Sequence, residues 1–305
     1  MEKDHLDCKQ NKGEAFEEEI NSFLPQELFE DAEDILTSVA DSLDENMSQA
    51  YCYLDDILYI RIFDGERYVF PLPFMLRDDA DMTEACMNLS VYSRREMIPL
   101  IITDIPRDDL DFLSGIFPHF DASCYGDDDD SFFIKVNNEC DLLDDIPTVS
   151  IGDVTLDAIT NADTEAYAAL CSDASLNRFW GYDVREDNPD GAADYYLRVA
   201  EREFYDGVAI TFAIRHLGEF AGEAVIYDFD YLGSAQIAVR VLPTFGGRGI
   251  GSLATEALIK AAKDIGLSSL RAEIMNENEA SIKMTSKFMD LEKVEKGKTK
   301  FTLLL

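Results

Sequence analysis

Apolar and polar positions recur with two different periods along the chain, and each period predicts a type of element. Residues 13–44 place apolar side chains three and four positions apart, the spacing of one helix face. The next segments, YCYLDDILYIRI and GERYVFPLPFM, are rich in aromatic and β-branched residues, and we expect two strands joined by a turn at Asp64-Gly65. Helix, strand, helix and strand are then predicted in EACMNLSVYSRREMI, PLIITDI, DDLDFLSGIFPHF and SFFIKV. This mixed order is typical of an α/β layer.

A polar segment, NNECDLLDDIPT, separates the two halves of the chain and contains Pro147. We place a domain boundary there, which gives domains of residues 1–148 and 149–305. In the second domain the pattern predicts strands in VTLDAI, VAITFAIRH, EFAGEAVIYDFD, SAQIAVRVL, SLRAEI and KFTLLL. It predicts helices in DTEAYAALCSD, AADYYLRVAEREF, SLATEALIKAAKDIG and EASIKMTSKFM, with an aromatic loop NRFWGYD after the first. The third of these helices has one apolar face, formed by Ala254, Ala257, Leu258, Ala261 and Ala262.

Charge restricts the classes of partner. The 305 residues include 62 acidic and 26 basic side chains, a formal net charge of −36. A surface of this sign repels phosphate backbones, so we expect no nucleic-acid partner. The six cysteines form no C-x-x-C pair and there are three histidines, a composition that favours buried thiols over a disulfide framework or a metal site.

The chain shows no targeting or membrane signal. Its start, MEKDHLDCKQNKGEAFEEEI, has no apolar core flanked by basic residues. No apolar run approaches the roughly 18 residues that a membrane span requires. We therefore expect a cytoplasmic protein without a membrane partner.

The clearest chemical motif is the glycine-rich segment between a predicted strand and a predicted helix. Its sequence FGGRGIG places four glycines in residues 245–251. Glycine lets the backbone aim successive N–H groups into one concavity, and a helix start adds partial positive charge. The pattern therefore predicts a diphosphate site, which Arg248 supplements from one side.

Two other interpretations of this segment stay open. Residues 249–254 satisfy the dinucleotide pattern G-x-G-x-x-A, and Glu273 ends the next predicted strand, where a ribose ligand would lie. A dinucleotide domain, however, needs further parallel strands for which too few residues remain. The other interpretation is a glycine-rich turn without a ligand.

From about Ser150 to Leu305 the chain resembles the GCN5-related N-acetyltransferase (GNAT) superfamily, particularly the branch that acetylates protein N-termini and small-molecule amines. The match is IAVRVLPTFGGRGIGSLATEALIKAAKDIGLSSLRAEIMNENEASIKMTSKFM, which contains the glycine motif and a later Asn-x-x-Ser motif in order. The resemblance implies an α/β (α+β) fold whose mixed, mostly antiparallel central sheet is flanked by helices. It also implies acetyl-CoA as the acetyl donor, no metal, and direct attack by a primary amine of a small molecule or a protein N-terminus.

The same resemblance assigns binding roles. Backbone groups of Val239 and Val241 are expected to bind the thioester and the pantetheine arm. Asn278 and Ser281 match the helix motif that flanks the pantetheine and the sulfur. The residues expected around the diphosphate are Gly246, Gly247, Arg248, Gly249, Ile250, Gly251 and Ser252.

Three positions depart from the family pattern. Gly246 stands where a Gln or Arg is usual, so one side-chain contact to the diphosphate is missing. Thr285 stands where a tyrosine often protonates the leaving thiolate, which leaves that role to Ser281, a water, another tyrosine or no acid. Gln236 replaces a carboxylate at the start of the motif strand and cannot be a base.

A general base is useful because an amine with a pKa near 10 must lose a proton before it attacks a thioester. Glu223 is the first choice, and the alternatives are Asp228, Asp230 and Glu273. A solvated edge charge is the other interpretation of Glu223. We expect Trp180, the only tryptophan, and Tyr182 to bind the acceptor, with core packing as the alternative for Trp180.

Residues 45–136 resemble the first of two GNAT-like units in uncharacterised proteins grouped with the C-terminal domain of phosphatidylglycerol lysyltransferases. The resemblance rests on GERYVFPLPF, IPRDDLDFLSGIFPHF and DDDDSFFIKV. It implies tandem GNAT-like domains. The first half is acidic and contains no glycine-rich diphosphate loop, and we expect it to shape the acceptor cleft or a homodimer contact. Two alternatives to acetyl transfer remain: a non-catalytic CoA-binding or scaffold module, and an aminoacyl-tRNA-dependent transferase, whose tRNA the acidic half would repel.

Overall fold

A computed structural model describes residues 47–54, 57–72, 81–124, 131–180, 185 and 187–305. The chain divides into two compact units, Met1–Asn137 and Asn138–Leu305. The helices predicted within residues 13–44 lie outside the described residues.

The described part of the first unit contains a six-stranded sheet and two helices. Its elements are β1 (Ser48–Leu54), β2 (Ile57–Phe63), β3 (Tyr68–Pro71), α1 (Met82–Arg95), β4 (Leu100–Pro106), α2 (Leu110–Ile116), β5 (Phe120–Cys124) and β6 (Ser131–Val136). The strand order is β1-β2-β3-β4-β6-β5. β3 and β4 are parallel, whereas the other neighbours are antiparallel.

The predicted turn at Asp64-Gly65 is confirmed. The Asp64 carboxylate accepts hydrogen bonds from the amides of Glu66 (3.1 Å) and Arg67 (2.9 Å), and Gly65 has φ +98°. YCYLDDILYIRI, predicted as one strand, instead supplies most of two antiparallel strands, β1 and β2. The aspartate pair in the centre of this sequence is typical of a turn and is a signal for two strands rather than one.

The second unit contains an eight-stranded sheet and five helices in its described residues. Its strands are β7 (Val149–Ile151), β8 (Val154–Ala158), β9 (Ala209–His216), β10 (Glu219–Tyr227), β11 (Ser234–Val241), β12 (Ser269–Met275), β13 (Asp290–Val294) and β14 (Lys298–Leu304). Its helices are α3 (Thr164–Ser172), α4 (Ala174–Asn177), α5 (Tyr195–Tyr205), α6 (Ile250–Ile265) and α7 (Glu279–Thr285). The strand order is β13-β14-β12-β11-β10-β9-β8-β7, and β11 and β12 form the parallel pair.

Two hydrophobic clusters cover opposite faces of this sheet. The predicted apolar face of α6 is confirmed, because all five of its residues are buried. α6 packs with Phe212 and Ile214 of β9, whereas the intervening Ala213 packs with Leu170 of α3 and Leu197 of α5. Successive side chains of a strand alternate between faces, so the same strand supplies both clusters.

The two sheets share one topology. The run β9-β10-β11-β12-β14-β13 of the second sheet repeats the order of the whole first sheet, including the single parallel pair in its centre. A helix connects the parallel strands in both units, α1 in the first and α6 in the second. The expected tandem of mixed, mostly antiparallel sheets is therefore present.

The segment of residues 138–148 packs on the second unit. Cys140 is buried in the same cluster as α6, and Leu143 and Ile146 pack against that cluster. The Asn138 side-chain amide donates to the carbonyl of Gly207 (2.9 Å). The predicted boundary assigns this segment to the first domain, whereas these contacts are with residues of the second unit.

Candidate functional site

The parallel strands of the second sheet separate part-way along their length. β11 pairs with β12 from Ser234 to Gln236, and no further pair with β12 follows in the described chain. β11 nevertheless stays paired with β10 as far as Val241. A gap therefore opens beside the second half of β11.

The backbone of β11 offers hydrogen-bonding groups to this gap. Leu242 donates its amide to Ala221 beside β10 (2.8 Å). Because backbone groups alternate in direction along a strand, those of Val239 and Val241 face away from β10. These groups are therefore open to an extended ligand in the gap, and the pairing of Val239 and Val241 with the pantetheine arm stays a prediction from the resemblance.

The glycine-rich segment forms a tight turn between β11 and α6. The amide of Gly246 donates to the carbonyl of Pro243 (3.0 Å), which closes a short 3-10 turn. Gly247 and Gly249 have φ +74° and +80°, values that other residues adopt only with strain. A β-carbon added to either would meet no atom within 4 Å, so the glycines meet a conformational need and leave the surface above them open.

This turn leaves a run of amides without an internal acceptor. The carbonyl of Gly249 accepts from the amides of Ser252 (3.0 Å) and Leu253 (3.2 Å). By contrast, the amides of residues 247–251 have no hydrogen-bond acceptor in the part of the chain that the structure describes. A concave run of amides at a helix N-terminus binds anions. Of the seven residues predicted to hold a diphosphate, Gly246 and Ser252 thus have their amides occupied within the turn, and the five between them do not.

Arg248 lies against its own turn. Its guanidinium donates to the carbonyl of Thr244 (3.1 Å) and lies 5.5 Å from the centre of the Phe245 ring. The residue is exposed, so rotation of the side chain can bring the charge to a ligand on the amides.

α7 lies beside the start of α6. Asn278 caps α7, because its side-chain oxygen accepts from the amide of Ser281 (3.2 Å). The sulfur of Met284 lies 3.2 Å from the place a β-carbon of Gly251 would occupy and is 3.8 Å from the Thr255 hydroxyl. Thr285, at the position of the usual family acid, is buried.

Glu223 lies in a buried ion pair and is not a solvated edge charge. It is 2% exposed, and Nε of Arg240, its cross-strand neighbour, donates to its carboxylate (2.6 Å). Burial is the largest influence on Arg240 and disfavours its charged form, but the charge and hydrogen bond of Glu223, with further contributions from Cys171 and Tyr167, raise the pKa of the guanidinium overall. To accept a proton, Glu223 would leave Arg240 buried without a counter-ion. The geometry therefore fits a structural role, and its role as a base stays a prediction.

Two further groups complete this buried cluster. Burial, followed by the nearby Glu223 carboxylate, raises the pKa of Tyr167 well above its ordinary value. The same two causes raise the pKa of the Cys171 thiol to about 12. Both groups are therefore neutral at physiological pH, and Cys171 is not a nucleophile in this environment.

The alternative bases also have partners. Gln236 donates to the carboxylate of Asp228 (2.5 Å), and the Arg271 guanidinium lies 3.8 Å from Asp230. Burial opposes ionisation of Glu273, but ion pairs with Lys298 (2.8 Å) and Lys300 (3.5 Å) lower its pKa overall. Tyr227, which donates to Gln236 (3.3 Å), has its pKa raised to about 12 by burial and then by the Asp228 charge.

Trp180 follows the end of α4 and is half-buried. The Arg240 guanidinium carbon lies 4.2 Å from the centre of its ring. The Trp180 amide donates to the carbonyl of Asn177 (3.0 Å). Tyr182, also predicted to bind the acceptor, lies outside the described residues.

One comparison decides the family. Residues 153–288, which include the open strand, the glycine turn and α7, match the acetyltransferase (GNAT) domain family. The second unit is a GNAT domain. The assignment of the amides of residues 247–251 and of β11 to coenzyme A stays a prediction from the resemblance.

The GNAT domain is also similar to solved acetyltransferase structures. RimL, a ribosomal L7/L12 alpha-N-protein acetyltransferase in complex with coenzyme A, is 16% identical with a TM-score of 0.45, over 52% of this chain and 98% of that one. Mycobacterium smegmatis RimJ with CoA-disulfide is 18% identical with a TM-score of 0.45, over 55% and 90%. Vibrio cholerae spermidine N-acetyltransferase with CoA and spermine is 16% identical with a TM-score of 0.44, over 50% and 95%. A search of curated proteins found no significant match.

Sequence reasoning missed the polar cluster beneath Trp180 in the GNAT domain. Arg240 is the one charged residue within the otherwise apolar run IAVRVL, and Glu223 stands in the otherwise apolar run GEAVI. Opposite charges at buried positions of neighbouring strands are a signal for an ion pair, but the register of the two strands was needed to join them. The described residues contain no cluster suited to a metal ion, and none of their helices is long and apolar enough to cross a bilayer.

Proposed function

We propose that the GNAT domain transfers an acetyl group from acetyl-CoA to a primary amine of a small molecule or a protein N-terminus. The observation that carries the proposal is the run of amides at residues 247–251 beside a strand whose outer edge is open. The diphosphate of coenzyme A requires hydrogen-bond donors such as these amides, and the pantetheine arm requires an open strand edge beside them. The turn that follows Val241 places the amides next to the open edge of β11.

Each part of the donor has a proposed partner. The amides of Gly247 to Gly251 bind the diphosphate, and Arg248 adds a charge-assisted contact after leaving the Thr244 carbonyl. Val239 and Val241 pair with the pantetheine arm. Asn278 holds the start of α7 in place, so that Ser281 lies toward the sulfur.

The reaction requires only displacement at a carbonyl. The neutral amine attacks the thioester carbon, the C–N bond forms, and the C–S bond breaks to give the CoA thiolate. The amine nitrogen releases one proton to water. The thiolate gains one proton, for which the proposed donor is a water or the Ser281 hydroxyl, which then regains a proton from water. A backbone amide of β11 that faces the gap stabilises the developing oxyanion.

The ion pairs of the described carboxylates affect which class of amine we expect as the acceptor. An α-amine has an ordinary pKa near 8, so about a tenth is neutral at pH 7, whereas a lysine-type amine near 10.4 is almost fully protonated. Glu223 is paired to Arg240 and Glu273 to two lysines, so either carboxylate would lose its ion pair on accepting a proton. An acceptor amine of low pKa depends least on a base in the protein, because more of it is already neutral.

Two measurements test this proposal. Acetyl-CoA should raise the thermal midpoint of the protein, since a ligand that binds only the native state stabilises it. CoA thiol should then be released in the presence of a panel of primary amines, with an α-amino peptide and spermidine as the first two. No thermal shift at millimolar acetyl-CoA contradicts the proposal.

A rival function has specific support. Gln236 and the buried Thr285 occupy positions where family members often carry reactive groups. A non-catalytic CoA-binding module would show the thermal shift without CoA release from any amine, and this result would favour it over acetyl transfer.

A further inference from the structure

Arg240 lies on β11, the strand that we propose binds the donor, and its side chain reaches the segment that leads into the aromatic loop. It stands between Val239 and Val241, whose backbone groups face the open gap. Its side chain is 5% exposed and extends to the face of the sheet that α3 covers. A shift of β11 at this residue therefore moves its guanidinium against the Trp180 ring.

The Arg240 guanidinium contacts three groups in addition to the counter-ion that balances its charge. Glu223 supplies the counter-ion. Nη1 donates to the Asn177 side-chain oxygen (2.7 Å), Nη2 lies 3.4 Å from the Cys171 sulfur, and the Trp180 ring covers the guanidinium carbon at 4.2 Å. The three additional contacts all belong to residues 171–180.

These contacts fix the segment before the aromatic loop. The Asn177 side-chain amide donates to the carbonyl of Cys171 (2.7 Å), and its carbonyl accepts from Trp180 (3.0 Å). Asp173 caps the four-residue helix α4 by accepting from Ser175 (2.8 Å). So short a helix is not stable alone, and Arg240 joins it to the sheet through Asn177.

We propose that Arg240 is a positioning residue that couples acetyl-CoA binding on β11 to the placement of Trp180 at the acceptor site. The inference rests on the proposed function, because it takes β11 as the donor strand. Pairing of the pantetheine arm with Val239 and Val241 fixes the backbone of Arg240, and the guanidinium then fixes Asn177 and the indole ring. One side chain therefore links the donor-binding strand to the ring proposed to bind the acceptor.

The single tryptophan makes this coupling measurable. Since Trp180 is the only tryptophan, indole emission of the full chain reports on this ring alone. Saturating acetyl-CoA should change the emission of the wild type. Arg240→Lys keeps the positive charge but loses the planar group that stacks on the indole ring and the paired N–H donors of the guanidinium. This variant should therefore show only part of the wild-type change in emission.

Fold-preserving variants separate positioning from loss of structure. Arg240→Met with Glu223→Gln removes both charges of the buried pair, because Arg240→Met alone would leave Glu223 unpaired. Asn177→Ala breaks one link and keeps the ion pair. The double variant should lose the emission change while its Kd for acetyl-CoA, measured by calorimetry, stays within about threefold of the wild-type value. Asn177→Ala should reduce the change, and Arg198→Met, an exposed arginine on α5, should leave it intact.

The outcomes are distinct. A double variant that keeps the wild-type emission change, or whose Kd weakens more than about tenfold, overturns the coupling. A wild type that binds acetyl-CoA without any emission change also overturns it, and leaves the proposed function standing. A wild type that does not bind acetyl-CoA in calorimetry overturns both.

Discussion

Gly249 and Gly266 stand at the two ends of α6 and share one backbone conformation. Their φ angles are +80° and +101°, and a β-carbon at either would meet no atom within 4 Å. Their surroundings differ, because Gly249 lies within the run of free amides and Gly266 caps the far end of the helix. Substitutions at these two glycines should therefore cause the same backbone strain, but only the substitution at Gly249 should also weaken ligand binding.

We predict that Gly249→Ala weakens acetyl-CoA binding by roughly tenfold or more, because strain in the turn misaligns the amides and the methyl group stands on the open surface. Gly266→Ala should leave the affinity unchanged. Both should lower the free energy of unfolding by about 1 kcal/mol, the cost of a left-handed residue. Calorimetric titration and chemical denaturation measure the two effects, and an equal loss of affinity in both variants would contradict the assignment of the turn.

Glu139 is a buried carboxyl whose charge is poorly compensated. It is 1% exposed, and its Oε2 atom has no hydrogen-bond partner in the described chain. Burial first, and then the charges of Asp230 and Asp141, raise its pKa from an ordinary 4.5 to about 7. Between these values the folded state keeps a proton that the unfolded state releases, so stability falls as pH rises from about 4.5 to 7, by up to about 3 kcal/mol.

We therefore predict that Glu139→Gln stabilises the protein at pH 8 by about 2 kcal/mol and has little effect at pH 4.5, where the wild-type carboxyl is already neutral. Thermal or urea unfolding of both proteins across this range measures the difference. Equal stabilisation at both pH values would show that the carboxyl is not neutral in the folded state at low pH.

At the scale of elements, Arg215 of β9 connects to the start of α3. It lies 2.7 Å from Asp157 of β8 and 2.9 Å from Asp163, which precedes α3. The hydrogen bonds from Arg215, acting against partial burial, lower the pKa of Asp163 to about 2. The ion pairs of Arg215 hold the junction between β8 and α3 in place wherever the Asp163 carboxylate is ionised.

A depressed pKa stabilises the folded state above the unfolded value and loses its effect as pH falls. The Asp163 contribution should be complete above about pH 4 and disappear by about pH 2, an effect of about 2 kcal/mol. Arg215→Met should reduce that segment of the pH profile to the part that the hydrogen bonds from Thr160 maintain, whereas Arg198→Met, which breaks an exposed pair on α5, should leave it in place. Urea unfolding from pH 6 to pH 2 makes the comparison.

Sequence patterns predicted most elements but not those whose existence depends on distant partners. α6 and the glycine turn are encoded locally, by small apolar residues at helical spacing and by glycines at positive φ. β5, β7 and β13 were not predicted, since β13 is exposed along its whole length and is held only by pairing with β14. The Glu223–Arg240 pair was missed for the same reason, because its residues are distant in sequence and adjacent only in the antiparallel register.

At the scale of the molecule, one six-strand topology occurs twice, but the sequence encodes the amide cradle once. In the second unit glycines follow the strand that precedes the parallel crossover helix. In the first unit the corresponding segment, LPFMLRDDAD, contains no glycine. A donor site is thus expected in the second unit alone, and we propose that the first has a structural or acceptor-related role.

The boundary between the units gives the last prediction. Cutting at the sequence-predicted boundary yields residues 149–305 and removes Cys140, which is 1% exposed in the second unit's core, together with Leu143 and Ile146. Cutting where the structure divides yields residues 138–305 and keeps the hydrogen bond from Asn138 to Gly207. Burial of Cys140 and partial burial of Leu143 and Ile146 should stabilise the fold by a few kcal/mol, since full burial of one large apolar side chain contributes roughly 1.5–3 kcal/mol.

We predict that residues 138–305 fold and bind acetyl-CoA with an affinity close to that of the full chain, whereas residues 149–305 unfold at a midpoint at least about 10 °C lower. Thermal unfolding followed by circular dichroism, with calorimetry for the ligand, measures both. Cys140→Ala in the longer fragment is the internal control, since it removes core contact without shortening the chain. If the two fragments were equally stable, residues 138–148 would contribute nothing to the GNAT domain and the boundary at 148 would be the functional one.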